Sequence, residues 1–277
     1  MQGDSREDFT PCRPTRGVFS LERRCADSAL RSWYVDSFPG FIDDCSRLIL
    51  DEAGNSGVEG LILSGSFAAC EGSVVMLGGR PVFLSDIDML LVASTEESHT
   101  ELYRRRAAIG KACEGLLPEA RFEGSIDIGV MTVEELGRMP ASPGVFDMRE
   151  NGLLMNGSDE IFDRFPAFSP DKIGGSEAVR LLENRMAAFL GDRPGTDRPE
   201  GVALFRFLYG VSRVYTDIIT ASLCAEGMYL PGYTARAEFI STSADAAQVR
   251  ERLAGSLITD AVKWTGFKVD PDAGKVW

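Results

Sequence analysis

Apolar residues recur along this chain with two different spacings, and the change of spacing separates predicted helices from predicted strands. Between residues 34 and 53 they recur every three or four positions, which predicts an amphipathic helix, and the Gly-rich run 54–57 ends it. Similar spacing predicts a helix at 101–117. Thr132 followed by Glu135 predicts a capped helix start after the last apolar run. Strands are expected at 58–63, 82–92 and 120–131.

In the second half of the chain, the spacing of apolar residues predicts helices and no strands. Periodic apolar positions predict helices at 176–190 and 202–225, with a Pro- and Gly-rich linker at 191–201 between them. Shorter helices are expected at 232–240 and 244–256. The fold class is therefore α+β, with an N-terminal mixed sheet and helices followed by a C-terminal α-helical domain. The predicted divisions are a loosely structured lead-in at 1–30, the mixed α/β domain at 31–168 and the helical domain at 169–277.

Composition removes several classes of function. The 277 residues carry a net charge of −13, which disfavours sequence-independent binding to nucleic acid because a phosphate backbone would be repelled. His99 is the single histidine, so His-rich metal sites are excluded, and it is expected to be a surface residue. The six cysteines form no CxxC pair, and no uncharged apolar run approaches ~18 residues. A cytoplasmic protein without a membrane segment is expected.

Two acids interrupt the apolar run at 82–92. Asp86 and Asp88 are separated by one isoleucine, so strand alternation places both carboxylates on one face, about 7 Å apart. Two like charges in an apolar strand need a compensating cation, and carboxylate oxygens are ligands that Mg²⁺ prefers. Asp127 repeats the pattern in the next apolar run. As an alternative, each acid alone could form a turn or pair with Arg80 or Arg121.

A Gly-Ser pair follows the first predicted strand. Gly65 allows a tight turn and a close approach of a ligand to the backbone, and Ser66 lies where a short helix is expected to begin. Backbone N–H groups at such a start, together with a hydroxyl, can bind phosphate. The alternative is an ordinary turn after a strand. The acid pair twenty residues downstream makes the phosphate-binding interpretation more specific.

Taken together, these motifs resemble the signature of the DNA polymerase beta-type nucleotidyltransferase superfamily. The matching positions are Gly65 and Ser66, then Asp86 and Asp88, then Asp127 on a later strand. The spacing between the first two motifs is longer than in the smallest members of the superfamily, which implies an insertion. The resemblance implies a nucleotidyltransferase-type mixed sheet in the N-terminal domain.

The resemblance spans residues 58–131 and also implies roles for individual side chains. Asp86 and Asp88 would bind metal and triphosphate, and Ser66 would contact the phosphates. Asp127 would help to activate the acceptor hydroxyl, as a base or as a ligand of a second ion. The implied cofactor is Mg²⁺, with two ions, and Mn²⁺ is the possible substitute.

A weaker similarity to antibiotic-modifying and other small-substrate nucleotidyltransferases extends into the C-terminal half. Residues 151–158 resemble the segment that precedes the helical domain in those enzymes. Arg213 resembles the basic residue that lies over the triphosphate, although members of the family often have Lys there. Tyr229, after the same helix, is the candidate to contact the nucleotide. The alternatives are a solvent-exposed helix position for Arg213 and a packing role for Tyr229.

The expected activity is transfer of a nucleoside monophosphate from an NTP to an acceptor hydroxyl, with release of pyrophosphate. A small-molecule acceptor is favoured over nucleic acid, since the chain is acidic and the basic triplet 104–106 is interpreted as a solvated helix face. A protein side chain is the other acceptor considered. The alternatives are a non-catalytic nucleotide-binding regulatory protein and a toxin–antitoxin-type enzyme acting on a partner protein. An oligomer is possible.

Overall fold

The computed structural model describes residues 28–54, 57–191 and 199–276, a mixed α/β fold. Residues 1–27 of the predicted lead-in and most of the predicted linker lie outside these ranges. No helix in the described part is both long enough and apolar enough to cross a membrane. The helices are α1 (Ser28–Asp36), α2 (Phe38–Ala53), α3 (Gly65–Ala68), α4 (Glu96–Glu114), α5 (Val133–Gly137), α6 (Pro143–Asn151), α7 (Gly175–Gly191), α8 (Gly201–Ala225), α9 (Tyr233–Thr242), α10 (Ala247–Arg252) and α11 (Gly255–Val269). The strands are β1 (Val58–Ser64), β2 (Val74–Leu77), β3 (Arg80–Phe83), β4 (Ile87–Ala93), β5 (Arg121–Phe122), β6 (Ile126–Thr132) and β7 (Leu153–Gly157).

The first helical region differs from its prediction. One helix was expected at 34–53, whereas α1 begins at Ser28 and a second helix follows from Phe38. Pro39 lies in the first turn of α2, where its missing N–H costs no intrahelical hydrogen bond, so it favours a new helix start. The apolar face of α2 is fully buried against the sheet.

Two of the three predicted strands are each divided between two sheets. The larger sheet has the order β6-β4-β1-β7, and the smaller has the order β2-β3-β5. The break between β3 and β4 falls at Ser85, where Leu84 and Ser85 both donate their N–H groups to the Ser73 carbonyl. The break between β5 and β6 falls at Glu123 and Gly124, whose N–H groups share one carbonyl of β3. These two breaks lie side by side, at the start of both β4 and β6.

Within the larger sheet, β4 runs parallel to β6 and antiparallel to β1. The start of β4 is therefore next to the start of β6 and the end of β1. This edge carries the candidate residues from all three strands. Because both β4 and β1 are buried on both faces, a polar side chain at this edge is unusual for its strand.

Helices α7, α8, α9 and α11 pack together, and α8 also packs against the smaller sheet. Helix α11 is an element that the sequence did not predict. The helical part is attached to the sheet part by buried polar contacts. The Glu71 carboxylate accepts the N–H groups of Tyr233 and Thr234, at 2.6 and 2.7 Å, and so caps the first turn of α9. A carboxylate before β2 thereby fixes the start of a helix 162 residues later.

Candidate active site

The three predicted acids lie together at the shared edge of β4 and β6. Asp88 and Asp127 are direct neighbours in the parallel register of the two strands. Asp86 immediately precedes β4, and its Oδ1 accepts the Ser125 N–H at 2.9 Å. The Ser125 hydroxyl lies 3.3 Å from Asp86 Oδ1 and 2.8 Å from Asp127 Oδ1, so both carboxylates contact one hydroxyl. The prediction that these acids converge is in agreement with the geometry.

Asp88 is the most electrostatically perturbed member of this acid cluster (Asp86, Asp88 and Asp127). Its pKa is raised to about 6, first by burial and then by the charges of Asp86 and Asp127, against the opposing effect of Arg213 and Lys268. Its side chain is half-buried, whereas Asp127 is exposed. The edge therefore concentrates negative charge that nearby basic side chains only partly offset.

Gly65 lies against Asp88. The last residue of β1, Ser64, is the register partner of Asp88, and the chain turns at Gly65 with φ of 67°. A Cβ at Gly65 would lie 2.2 Å from Asp88 Oδ2, so both the backbone angle and the space require glycine. Ser66 follows in the first turn of the four-residue α3 and is half-buried.

Arg213 reaches the same edge from α8. Its Nη1 donates to the Tyr209 hydroxyl at 2.9 Å, and its charge lowers the pKa of Asp88. Its Nε is buried and has no hydrogen-bond partner among the described residues. A buried donor without an acceptor is costly, and Arg236 Nε and Trp33 Nε1 share this property elsewhere in the described part of the chain. The sequence alternative of a solvent-exposed helix position does not describe this environment.

Tyr229 lies away from the acid cluster. Its side chain is 1% exposed and packs edge-on against Phe146 in the helical core. Its hydroxyl accepts from Arg236 at 2.8 Å. This environment is the packing role that the sequence left open as the alternative to nucleotide contact.

Lys268, on the unpredicted helix α11, is a basic residue that sequence reasoning missed. It is completely buried, and its Nζ donates to the Glu71 carbonyl at 3.0 Å and to Ser85 Oγ at 3.3 Å. Ser85 also contacts the Tyr209 hydroxyl at 3.2 Å and accepts the Ser73 N–H at 2.9 Å. Ser85, the residue before Asp86, is therefore held by contacts with Lys268, Tyr209 and Ser73.

The chemistry of the acid cluster fits a hard divalent cation. All its donors are carboxylate oxygens, and the charges of Asp86 and Asp127 add to burial in raising the pKa of Asp88. Among residues 28–54, 57–191 and 199–276, no group of three His, Cys, Asp or Glu side chains stands in an arrangement that would already hold a metal ion. The donors fit Mg²⁺ in kind and in charge.

A cavity of about 240 Å³ opens beside Asp86, between the sheet edge and helices α7 and α8. Its floor comes from the breaks that precede β4 and β6, and its walls come from rings and guanidinium groups of the two helices. Lining side chains and backbone include Leu84, Asp86, Gly124, Phe189, Arg206 and Arg213.

Comparisons of the chain with family models, with curated proteins and with solved structures found no match. The class of protein is consequently inferred from the acid cluster, the glycine turn and the basic side chains beside them.

Proposed function

We propose that the protein is a nucleotidyltransferase that moves a nucleoside monophosphate from an NTP to an acceptor hydroxyl. One observation carries the proposal. Three carboxylates converge at the edge of two parallel strands, and Asp88 lies directly against the turn at Gly65. A structural role for such a cluster is disfavoured, because like charges this close destabilise the fold unless a cation joins them.

In this proposal the NTP phosphates lie on the Asp88 side of the acid cluster. Gly65 lets the chain turn directly beside the Asp88 carboxylate, and the Ser66 hydroxyl donates to a phosphate oxygen. Arg213 adds a positive charge at the same place, with its buried Nε available as a donor. Tyr229 has no part in the proposal because its ring is enclosed in the helical core.

Asp127 is exposed at the edge and is the group placed to accept the acceptor's proton. The acceptor oxygen attacks the α-phosphorus and forms a new P–O bond. The bond from the α-phosphorus to the oxygen bridging to the β-phosphate breaks, and that oxygen leaves with the electron pair as part of pyrophosphate. The hydroxyl proton passes to the Asp127 carboxylate.

Asp86 and Asp88 would hold Mg²⁺, with Asp127 as the further ligand for a second ion. Bound Mg²⁺ would supply charge neutralisation for the phosphate oxygens. The chain itself contributes orientation. Ser125 holds Asp86 and Asp127 through hydrogen bonds, and Ser85 is fixed by Lys268.

A thermal-shift titration with each of the four NTPs, with and without Mg²⁺, tests the proposal. At 100 times its Kd, the bound NTP should stabilise the wild type by roughly 2.7 kcal/mol. The shift should require Mg²⁺ and should be absent from Asp88→Asn. Asp163→Asn, which removes an exposed carboxylate elsewhere, is the matched control and should keep the shift.

Release of pyrophosphate, measured with a coupled assay on acceptor pools of small molecules, then separates an enzyme from a nucleotide sensor. Metal-dependent binding without release from any pool would favour the non-catalytic alternative. The absence of any shift with all four NTPs would contradict the proposed function.

A further inference from the structure

The hydroxyl of Tyr209, on α8, lies between the acid cluster and the buried polar contacts behind it. Its oxygen is 2.9 Å from Arg213 Nη1 and 3.2 Å from Ser85 Oγ. Tyr209 is half-buried and lines the same cavity as Asp86 and Arg213. A ligand bound at the acid cluster can therefore reach this hydroxyl.

The ring of Tyr209 is fixed by apolar packing. It lies against the buried side chains of Val75, Val82 and Leu84 at the smaller sheet. Rotation of the ring away from these side chains would return apolar surface to water, which is unfavourable. The hydroxyl oxygen is thus held in one place, and a contact between it and a ligand costs little conformational entropy.

The donors around Ser85 determine the direction in which the Tyr209 hydroxyl can donate. A hydroxyl has one proton and two lone pairs. Both lone pairs of Ser85 Oγ are occupied, because the Ser73 N–H donates to it at 2.9 Å and Lys268 Nζ donates to it at 3.3 Å. Neither an amide N–H nor an ammonium group can accept a proton in return. The hydrogen bond between the two hydroxyls must then run from Ser85 to Tyr209.

The proton of the Tyr209 hydroxyl is left without an acceptor within the fold. The Tyr209 oxygen accepts from Arg213 Nη1 and from Ser85 Oγ, and a guanidinium has no lone pair to receive the proton. The described part of the chain brings no further polar partner to this hydroxyl. A hydroxyl donor thus stands beside a guanidinium at the edge of the acid cluster, and two such donors suit an anionic oxygen.

We propose that Tyr209 is a further substrate-binding residue, whose hydroxyl donates to a phosphate oxygen of the NTP beside Arg213. This role rests on the proposed function for the NTP itself, whereas the hydrogen-bond directions alone require only an anionic phosphate group. The competing role is structural: Tyr209 would hold the Arg213 guanidinium in place and touch no ligand.

Isothermal titration calorimetry in the presence of Mg²⁺, with tripolyphosphate and with each of the four NTPs, tests the contact. Tyr209→Phe keeps the ring and removes the hydroxyl. It should weaken the binding of tripolyphosphate and of the preferred NTP about tenfold, as expected for one hydrogen bond to a charged group. Tyr103→Phe removes a hydroxyl from an exposed ring on α4 and should leave both affinities unchanged. Far-UV circular dichroism checks that both variants fold.

A double-mutant cycle with Arg213→Gln separates the direct contact from the structural role. If Tyr209 contacts the phosphate itself, adding Tyr209→Phe to Arg213→Gln should weaken tripolyphosphate binding severalfold further. Titration followed by ³¹P NMR extends the measurement to weak affinities. Equal affinities of Arg213→Gln and the double variant would overturn the proposal, because Tyr209 would then act only through the arginine.

Two other results would also overturn the proposal: an unchanged affinity in Tyr209→Phe, and a wild type that does not bind tripolyphosphate. The proposed function fails separately. If the wild type binds tripolyphosphate through Tyr209 and binds none of the four NTPs, the nucleotidyltransferase proposal is wrong while the phosphate contact stands.

Discussion

Asp88 in the acid cluster and Asp147 on α6 offer an instructive comparison, because both have a pKa raised to about 6 and burial is the first cause in each. Around Asp147, the chain supplies compensation. Arg236 Nη1 lies 3.7 Å from its Oδ2, whereas its buried Oδ1 has no hydrogen-bond partner among the described residues. The charge of Arg236 lowers the pKa again, and the charge of Glu71 raises it.

Around Asp88 the nearest acids act in the other direction. Asp86 and Asp127 raise its pKa, and the basic groups of Arg213 and Lys268 offset this from other elements. A raised pKa by itself therefore does not distinguish a functional carboxylate from a structural one. The two carboxylates differ in the neighbour that acts most strongly after burial, which is the like charge of Asp86 for Asp88 and the opposite charge of Arg236 for Asp147.

The largest expected effect comes from removing Arg236, the cation beside Asp147. Arg236→Met should lower the free energy of unfolding at pH 7.5 by about 3–5 kcal/mol, since it removes a buried cation and leaves the half-buried Asp147 carboxylate unpaired. At pH 5 the loss should be smaller, because Asp147 is then mostly protonated. Urea denaturation at both pH values measures this. Arg138→Met, at an exposed pair with Glu134, should change stability by at most about 0.5 kcal/mol. Equal losses for Arg236→Met at the two pH values would contradict the assignment.

The pH dependence of stability isolates Asp147 itself. The folded protein holds its proton up to about pH 6, whereas the unfolded chain releases it near 3.8, so the folded state binds more protons between these values. Stability should therefore fall as the pH rises from 4 to 6, by up to about 3 kcal/mol from this group. Asp147→Asn should remove that part of the fall. Urea midpoints of wild type and variant at pH 4, 5, 6 and 7 test the sign, and parallel curves would refute it.

The Gly65→Ala variant tests whether the close contact between Gly65 and Asp88 matters at the acid cluster. Gly78 also has a positive φ, of 60°, but a Cβ there meets nothing within 4 Å. Both alanine variants should lose about 1–2 kcal/mol from the backbone angle. Only Gly65→Ala should also displace Asp88 and lower pyrophosphate release, by about 10²-fold. A turnover assay beside urea denaturation of both variants decides whether the close contact matters, and similar turnover in the two would show that it does not.

The smallest expected effect comes from the metal alone. Mg²⁺ at ten times its Kd should stabilise the wild type by roughly 1.4 kcal/mol. The stabilisation should be lost in Asp88→Asn and kept in Asp147→Asn, since only the first carboxylate belongs to the acid cluster. Differential scanning fluorimetry with MgCl₂, against NaCl at equal ionic strength, measures the difference. A gain that survives in Asp88→Asn would place the ion elsewhere.

Local signals in the sequence predicted much of the structure in the sheet region. The predicted cap at Thr132 is confirmed, because Thr132 and Glu135 form a reciprocal capping box at the start of α5. Asp127 was predicted within the apolar run 120–131, and in β6 it is exposed between two buried isoleucines. The division of the strands was not predicted. The N–H groups at the breaks bond to carbonyls of distant residues, which no local pattern records.

Of the two basic residues beside the acid cluster, Arg213 and Lys268, only Arg213 was predicted from the sequence. Arg213 was found through a resemblance, and its buried setting beside Asp88 is a property of the fold. The sequence did not identify Lys268. It is fully buried by α8, α9 and the chain around Ser73, and the residue type alone does not show whether a lysine is buried. The helix that carries it was not predicted either. Burial of charge depends on contacts between remote elements, and residue spacing does not encode it.

The bond from Lys268 to Ser85 has a consequence for biosynthesis. The two residues are 183 positions apart, and a ribosome delivers the chain from its N-terminus. The strands that carry the three acids emerge early, but the ammonium group that steadies the residue before Asp86 arrives much later. A product cut short before residue 268 would keep the acidic motif in its sequence and lack that internal support.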